Sequence, residues 1–212
     1  MSINAIPTLD PLRNIKTTIG APVRDPDTPS SDNPVFAASP YFGDEQVWDS
    51  KFNAHSPAMD REGRIYFAAQ LRSPKNPPPY CARDSSLRSA QLYPLTEKPD
   101  GFSQNSRQVT IYDSRSQKFT FVDTCFGTQH LNFGEDASDT LWFSTNTQGK
   151  GAVIGWLNIK NFFATGDAAD SQGWMPLIVD TNGNGKRDEN YNEPGERPDS
   201  AKDTRVPLRY FL

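Results

Sequence analysis

Histidine, cysteine and methionine are scarce, with two, two and three copies in 212 residues. Cys81 and Cys125 sit far apart and match no zinc or redox spacing. Lysine and arginine never cluster densely enough to track a phosphate backbone, and the formal net charge is −4, so nucleic acid is not an expected partner. No apolar run reaches the roughly eighteen residues that span a bilayer; the longest covers residues 151–159. The start, Met1-Ser-Ile-Asn-Ala-Ile-Pro, lacks both the basic region and the apolar stretch of a secretion signal. No Ser/His/Asp or Cys/His order, glycine-rich phosphate loop or paired-carboxylate motif stands out.

What the sequence does have points to β structure. Eighteen prolines exceed the usual share of about 5%, while aromatics at 11% are too many for a disordered protein. Many turns around an aromatic core favour an all-β domain with long connections.

The run Asp180-Thr-Asn182-Gly-Asn184-Gly185-Lys186-Arg-Asp188-Glu189 reads as a calcium loop. Side-chain oxygens fall at its first, third, fifth and ninth positions, and the glycine at the sixth allows the sharp bend. Asp180, Asn182, Asn184, Lys186 through its carbonyl, Asp188 and Glu189 are the expected ligands. Position twelve is Tyr191 instead of a bidentate glutamate, leaving Glu189, Glu193 or a water to complete the shell. A strand-like run, Leu177-Ile-Val179, precedes the loop where an EF-hand has a helix. The expected role is structural and the affinity weak, about 10⁻⁴–10⁻³ M. The plainer alternative is a polar Asn-Gly turn between two elements.

Two stretches repeat. Met59-Asp60-Arg-Glu-Gly63-Arg-Ile65-Tyr66-Phe67 aligns with Glu135-Asp136-Ala-Ser-Asp139-Thr-Leu141-Trp142-Phe143 at an offset of 76. His55 and His130 precede the copies and match once one residue is inserted in the second. Each copy predicts a strand, an Asp/Gly turn and an aromatic strand. Residues 108–122 add a strand, a turn around Asp113, Ser114 and Ser116, and another strand. Residues 151–157 and 174–179 supply the third and fourth strands of the second copy.

Four-stranded antiparallel units in tandem are the mark of a β-propeller. The expected division is a lead-in or blade remnant at 1–40 and a first blade at 41–127 carrying an insert at 73–105. A second blade follows at 128–200, with the loop at 180–189, and a further blade begins at 201–212. Two blades fall short of the about four to eight that close a ring, so the remaining blades of a longer protein are the expected partners. A self-contained β protein is the blander alternative.

The cysteines lie in or beside the variable connections of the repeat, which favours a Cys81–Cys125 disulfide over two buried thiols. In the chain-entropy model it would stabilise the fold by about 4 kcal/mol.

The pattern Asp-x-x-Gly-x-Ile-Tyr-Phe, then Asp-x-x-Asp-x-Leu-Trp-Phe, resembles NHL-type propellers, especially the branch related to virginiamycin B lyase. Ser39-Pro-Tyr-Phe-Gly, Asp123-Thr-Cys125-Phe, Val153-Ile-Gly-Trp156-Leu-Asn and the stretch from Gly173-Trp to Asp188 are similar to an uncharacterised group of bacterial exported propellers. In that group the propeller often follows a carboxypeptidase-regulatory-like domain. The resemblance implies a propeller and export to the periplasm or beyond; with the disulfide, the absent signal is expected to belong to a longer exported protein. Shape does not imply chemistry. Binding or scaffolding, of a ligand or another protein, is the favoured role. The alternative is a metal-assisted lyase in which His130, or secondarily His55, faces the channel and serves as base beside a divalent metal.

Repetition favours a packing role for both histidines, because structure recurs between blades and catalysis does not. Tyr66, Phe67, Trp142 and Phe143 are expected in the core. Core is also the preferred place for Trp156 and Trp174, with a ligand-stacking face as the alternative.

Overall fold

A computed structural model describes residues 4–25, 51–52, 54–71, 78–93, 107–144 and 153–206. The segments Ser39-Pro-Tyr-Phe-Gly, most of the insert at 73–105 and the last residues of the protein lie outside them. The protein divides into two compact units, Met1–Asn76 with Ser106–Val122, and Pro77–Asn105 with Asp123–Leu212.

The first unit opens with a hairpin of β1 (Ala5–Asp10) and β2 (Ile15–Gly20), in the region expected to be a lead-in. Its turn is held by Asp10, whose Oδ1 accepts the amides of Leu12 and Arg13. Four strands follow as an antiparallel meander: β3 (Ala58–Met59), β4 (Arg64–Leu71), β5 (Arg107–Asp113) and β6 (Lys118–Val122).

Cross-strand register puts Ile65 with Tyr112 and Tyr112 with Phe119 on one face. On that face Phe67, Ala69 and Tyr112 form a core with Ala21 and Phe52, and Ile6 and Ile19 of the hairpin pack against it. Phe52 meets Phe67 and Phe119 edge-on at 6.1 and 6.3 Å. Tyr66, Ala68, Val109, Ile111 and Val122 project to the other face and are buried as well.

The second unit contains the matching meander: β7 (Leu131–Phe133), β8 (Thr140–Ser144), β9 (Val153–Asn158) and β10 (Gln172–Pro176). The two four-stranded antiparallel sheets expected from the repeat are therefore present, and the described residues are predominantly β. The strand expected over 174–179 is two elements. It breaks at Leu177, after which β11 (Ile178–Val179) pairs instead with β12 (Thr204–Arg205). Proline at 176 is tolerated because it ends β10, an edge strand.

Side-chain size alternates across the second sheet. Gly155 sits between Phe143 on β8 and Trp174 on β10, and the Phe126 ring fills the space a side chain there would take. Phe126 lies 5.5 Å from Phe143 and 6.1 Å from Trp174. On the opposite face Trp156 lies over Gly173 and beside Trp142, at 5.9 Å. Trp156 and Trp174 point to opposite faces, so they share no stacking surface.

Two short α-helices stand among the described residues of the unit. α1 (Arg88–Leu92) covers the open edge of β10: Ser89 Oγ accepts the Trp174 amide at 3.0 Å, and the Tyr93 carbonyl accepts its indole N–H at 2.8 Å. α2 (Ile159–Thr165) joins β9 to β10, capped by Asn158 at its start and by Gly166 at φ +72°. The connection read as an insert of the first sheet thus serves the second, to which the Cys81–Cys125 disulfide ties it. Tyr80 adds a hydrogen bond from its hydroxyl to the Asp123 carbonyl at 2.9 Å.

Candidate functional site

Three groups of residues are candidates: the repeated Asp turns, the histidines before them, and the loop at 180–189. The turns are the same device in both copies. Asp60 Oδ1 accepts the amides of Glu62 and Arg64, and Asp136 Oδ1 accepts those of Ser138 and Thr140. Both turns close through a left-handed residue, Gly63 at φ +79° and Asp139 at φ +47°. Glycine enters that conformation freely, and aspartate is among the few other residues that tolerate it.

The copies then diverge. Asp60 Oδ2 also accepts the Arg64 guanidinium at 2.6 Å and the Tyr66 hydroxyl at 2.8 Å. Burial raises the Asp60 carboxyl, but the Arg64 amide, the Tyr66 hydroxyl and the Arg64 side chain outweigh it and hold the acid below its ordinary value. Burial and the neighbouring Asp60 carboxylate push the Tyr66 phenol well above its usual range.

Replacing Asp60 by alanine should cost about 2–3 kcal/mol, because the Arg64 and Tyr66 donors lose their acceptor. A depressed folded pKa stabilises the protein above the unfolded value and is lost as pH falls through the folded one. The stability gap between the wild type and Asp60→Asn should therefore close below about pH 4. Urea midpoints across that range test it, and a gap unchanged by acid would show that the Asp60 charge contributes nothing.

The histidines occupy equivalent places. The His55 carbonyl accepts the Ala68 amide and the His130 carbonyl accepts the Ser144 amide, each at 3.0 Å. Ala68 and Ser144 are 76 positions apart and the histidines 75, as the single insertion requires. The slip is local. In the first copy the pairing shifts by one at Ser56, which has φ +46°, whereas His130 continues the register of β7. The residues between Phe133 and Asp136 include Glu135 at φ +52°. Both rings are half-buried, and the role visible in each copy is a backbone one.

The loop lies between β11 and β12. Asp180 takes three backbone amides: Gly183 and Asn184 on Oδ1 at 2.7 and 3.2 Å, and Gly185 on Oδ2 at 2.9 Å. Gly185, the glycine expected to supply the bend, has φ +74°, and Gly183 adopts the same left-handed conformation. The Asn182 and Asn184 amide groups donate to Asp188 Oδ2 and Oδ1 at 2.8 and 3.3 Å, so the first, third, fifth and ninth positions converge. Lys186 enters by its amide, which donates to Asn184 Oδ1; its side chain is exposed, as is Glu189. Glu193 is engaged elsewhere, both its oxygens lying within 3.2 Å of Arg205 Nη1.

The residue types suit a hard cation, which takes carboxylate and amide oxygens. Two carboxylates are few, however, and no group of three or more His, Cys, Asp or Glu gathers among the described residues. Both asparagine amides would have to turn to present oxygen to a cation beside Asp188, which exchanges their oxygen and nitrogen positions.

One contributor escaped the motif. Asp203 is fully buried, and its oxygens accept the amides of Thr181 and Asp188, while its own amide donates to Asp188 Oδ2 at 3.0 Å. It clamps both ends of the loop from outside any spacing that would mark it. Asn192 binds the return of the backbone in the same way, through Asp199 and Lys202.

No helix among the described residues is long and apolar enough to cross a membrane. The sequence matches no protein-family model and no curated protein, and the fold matches no solved structure.

Proposed function

We propose that this protein supplies blade-type sheets to a β-propeller of an exported bacterial protein, where it binds a ligand or protein or acts as scaffold. The recurrence of one His–Asp-turn–aromatic-strand motif at the head of two four-stranded meanders carries this reading. Tandem sheets of this kind bury their faces against neighbours, and the remaining blades of a longer protein would supply them. The disulfide suits an oxidising compartment. The equivalent backbone roles of His55 and His130 fit a packing function for both histidines better than a catalytic one.

Within this reading the loop at 180–189 is a structural calcium site. Asp180, Asn182, Asn184 and Asp188 offer side-chain oxygens, Lys186 its carbonyl, and Glu189 an outer carboxylate. Bound calcium would replace the hydrogen bonds that close the loop and fix the connection between β11 and β12.

Thermal melts with EDTA and then with calcium test this. At a tenfold excess over Kd, binding to the native state alone adds about 1.4 kcal/mol, which raises the midpoint by a few degrees. Asp180→Ala should abolish the calcium increment. A cooperative melt indifferent to calcium would reduce the loop to a turn. No cooperative transition in either condition would mean that the sheets depend on neighbours absent from these 212 residues.

A further inference from the structure

The loop carries two Asn-Gly pairs in succession, Asn182-Gly183 and Asn184-Gly185. Asparagine is thermolabile, and a following glycine offers no side chain to block attack on the amide. We propose that Asn184 is a deamidation site, that Asn182 is held in reserve behind it, and that Asp180 guards both.

The chemistry uses only the protein and water. The backbone nitrogen of Gly185 loses its proton and attacks Asn184 Cγ. A bond forms between that nitrogen and Cγ, the bond from Cγ to Nδ2 breaks, and ammonia leaves with the added proton. Water then opens the five-membered imide at either carbonyl, leaving an aspartyl or isoaspartyl residue at position 184. Each event lowers the formal net charge by one from −4 and adds a carboxylate to a loop that already holds Asp180 and Asp188.

The hydrogen bonds distinguish the two sites. Asn182 is half-buried; its amide donates to Asp188 at 2.8 Å and to the Ala201 carbonyl at 3.0 Å, and its Oδ1 accepts the Asn184 amide at 2.9 Å. Asn184 is exposed and has two such bonds against three: its Nδ2 donates only to Asp188, at a long 3.3 Å, and its Oδ1 accepts the Lys186 amide at 2.8 Å. That side chain is therefore freer to rotate toward the following nitrogen.

The guard acts on the nucleophiles. The amides of Gly183 and Gly185 both donate to the Asp180 carboxylate. Removing a proton from either nitrogen would set an amide anion against that carboxylate, which like-charge repulsion opposes. Folding thus slows both reactions and slows the one at Asn182 more.

The test is peptide mapping of the intact protein held for weeks in mildly alkaline buffer with EDTA and heavy-oxygen water. A parallel sample is kept unfolded in urea. In the folded protein, position 184 should gain one dalton plus the label, with isoaspartate as the major product, several-fold ahead of position 182. In urea both sites should react faster and the difference between them should shrink. Equal rates at 182 and 184 in the folded protein would overturn the proposal. So would a difference equally large in urea, which would place its cause in sequence alone, or a folded rate at 184 matching the unfolded one.

Discussion

Replacing Trp174 by alanine is expected to destabilise the second unit by about 4 kcal/mol, within the range for truncating a buried tryptophan. The side chain is 1% exposed and fills the face of the sheet opposite Gly155, against Phe126. Glycine at 155 supplies no atoms to close the gap, and Phe126 is already lodged over it, so the cavity collapses poorly. The Tyr93 carbonyl loses its indole partner at the same time.

Trp174→Phe separates these effects. It retains most of the buried ring but no N–H, and should cost about 1–2 kcal/mol. Hydrogen exchange at the amides of Gly155 and Leu157, on the neighbouring strand, reports this unit specifically. If alanine and phenylalanine prove equally mild, Trp174 is not the keystone of the core that its burial suggests.

The residues that sequence reasoning located best are those whose partners are near in sequence. The Asp60 and Asp136 turns are local: an aspartate, two amides within four positions and a left-handed residue, all readable from spacing. The four strands of each meander follow for the same reason, since alternation and turn chemistry mark them. In the loop at 180–189 the left-handed bend at Gly185 was legible, while that at Gly183 was not.

What escaped depends on distant packing. Nothing in Ile6 or Ile19 announces that a hairpin will cover the Phe67–Tyr112 face. The break after Pro176 reflects competition between β9 and β12 for one continuous apolar run, which periodicity alone cannot decide. Asp203 is a lone aspartate until the backbone returns to Thr181 and Asp188. The destination of the proline-rich connection was equally hidden, because Ser89 and Tyr93 meet Trp174 across more than eighty residues.

Removing the disulfide is the second large effect. Cys81→Ala with Cys125→Ala should lower stability by about 4 kcal/mol, the loop-closure entropy that the chain-entropy model assigns to a separation of 44 residues. This cost falls on the unfolded state, so the folded unit should keep its architecture. Gln172 still accepts the Cys125 amide through its Oε1 and donates to the Asp123 carbonyl, and Tyr80 still holds Asp123. The clamp of α1 on β10 should nevertheless open more often, because Ser89 and Tyr93 lose their covalent tether and edge pairing alone must hold them. Urea unfolding gives the stability difference, and hydrogen exchange at the Trp174 amide gives the opening. A large loss of stability with unchanged exchange at Trp174 would make the bond a constraint on the unfolded state alone. Equal midpoints for the oxidised wild type and the double variant would mean that residual structure in the unfolded state already supplies the closure.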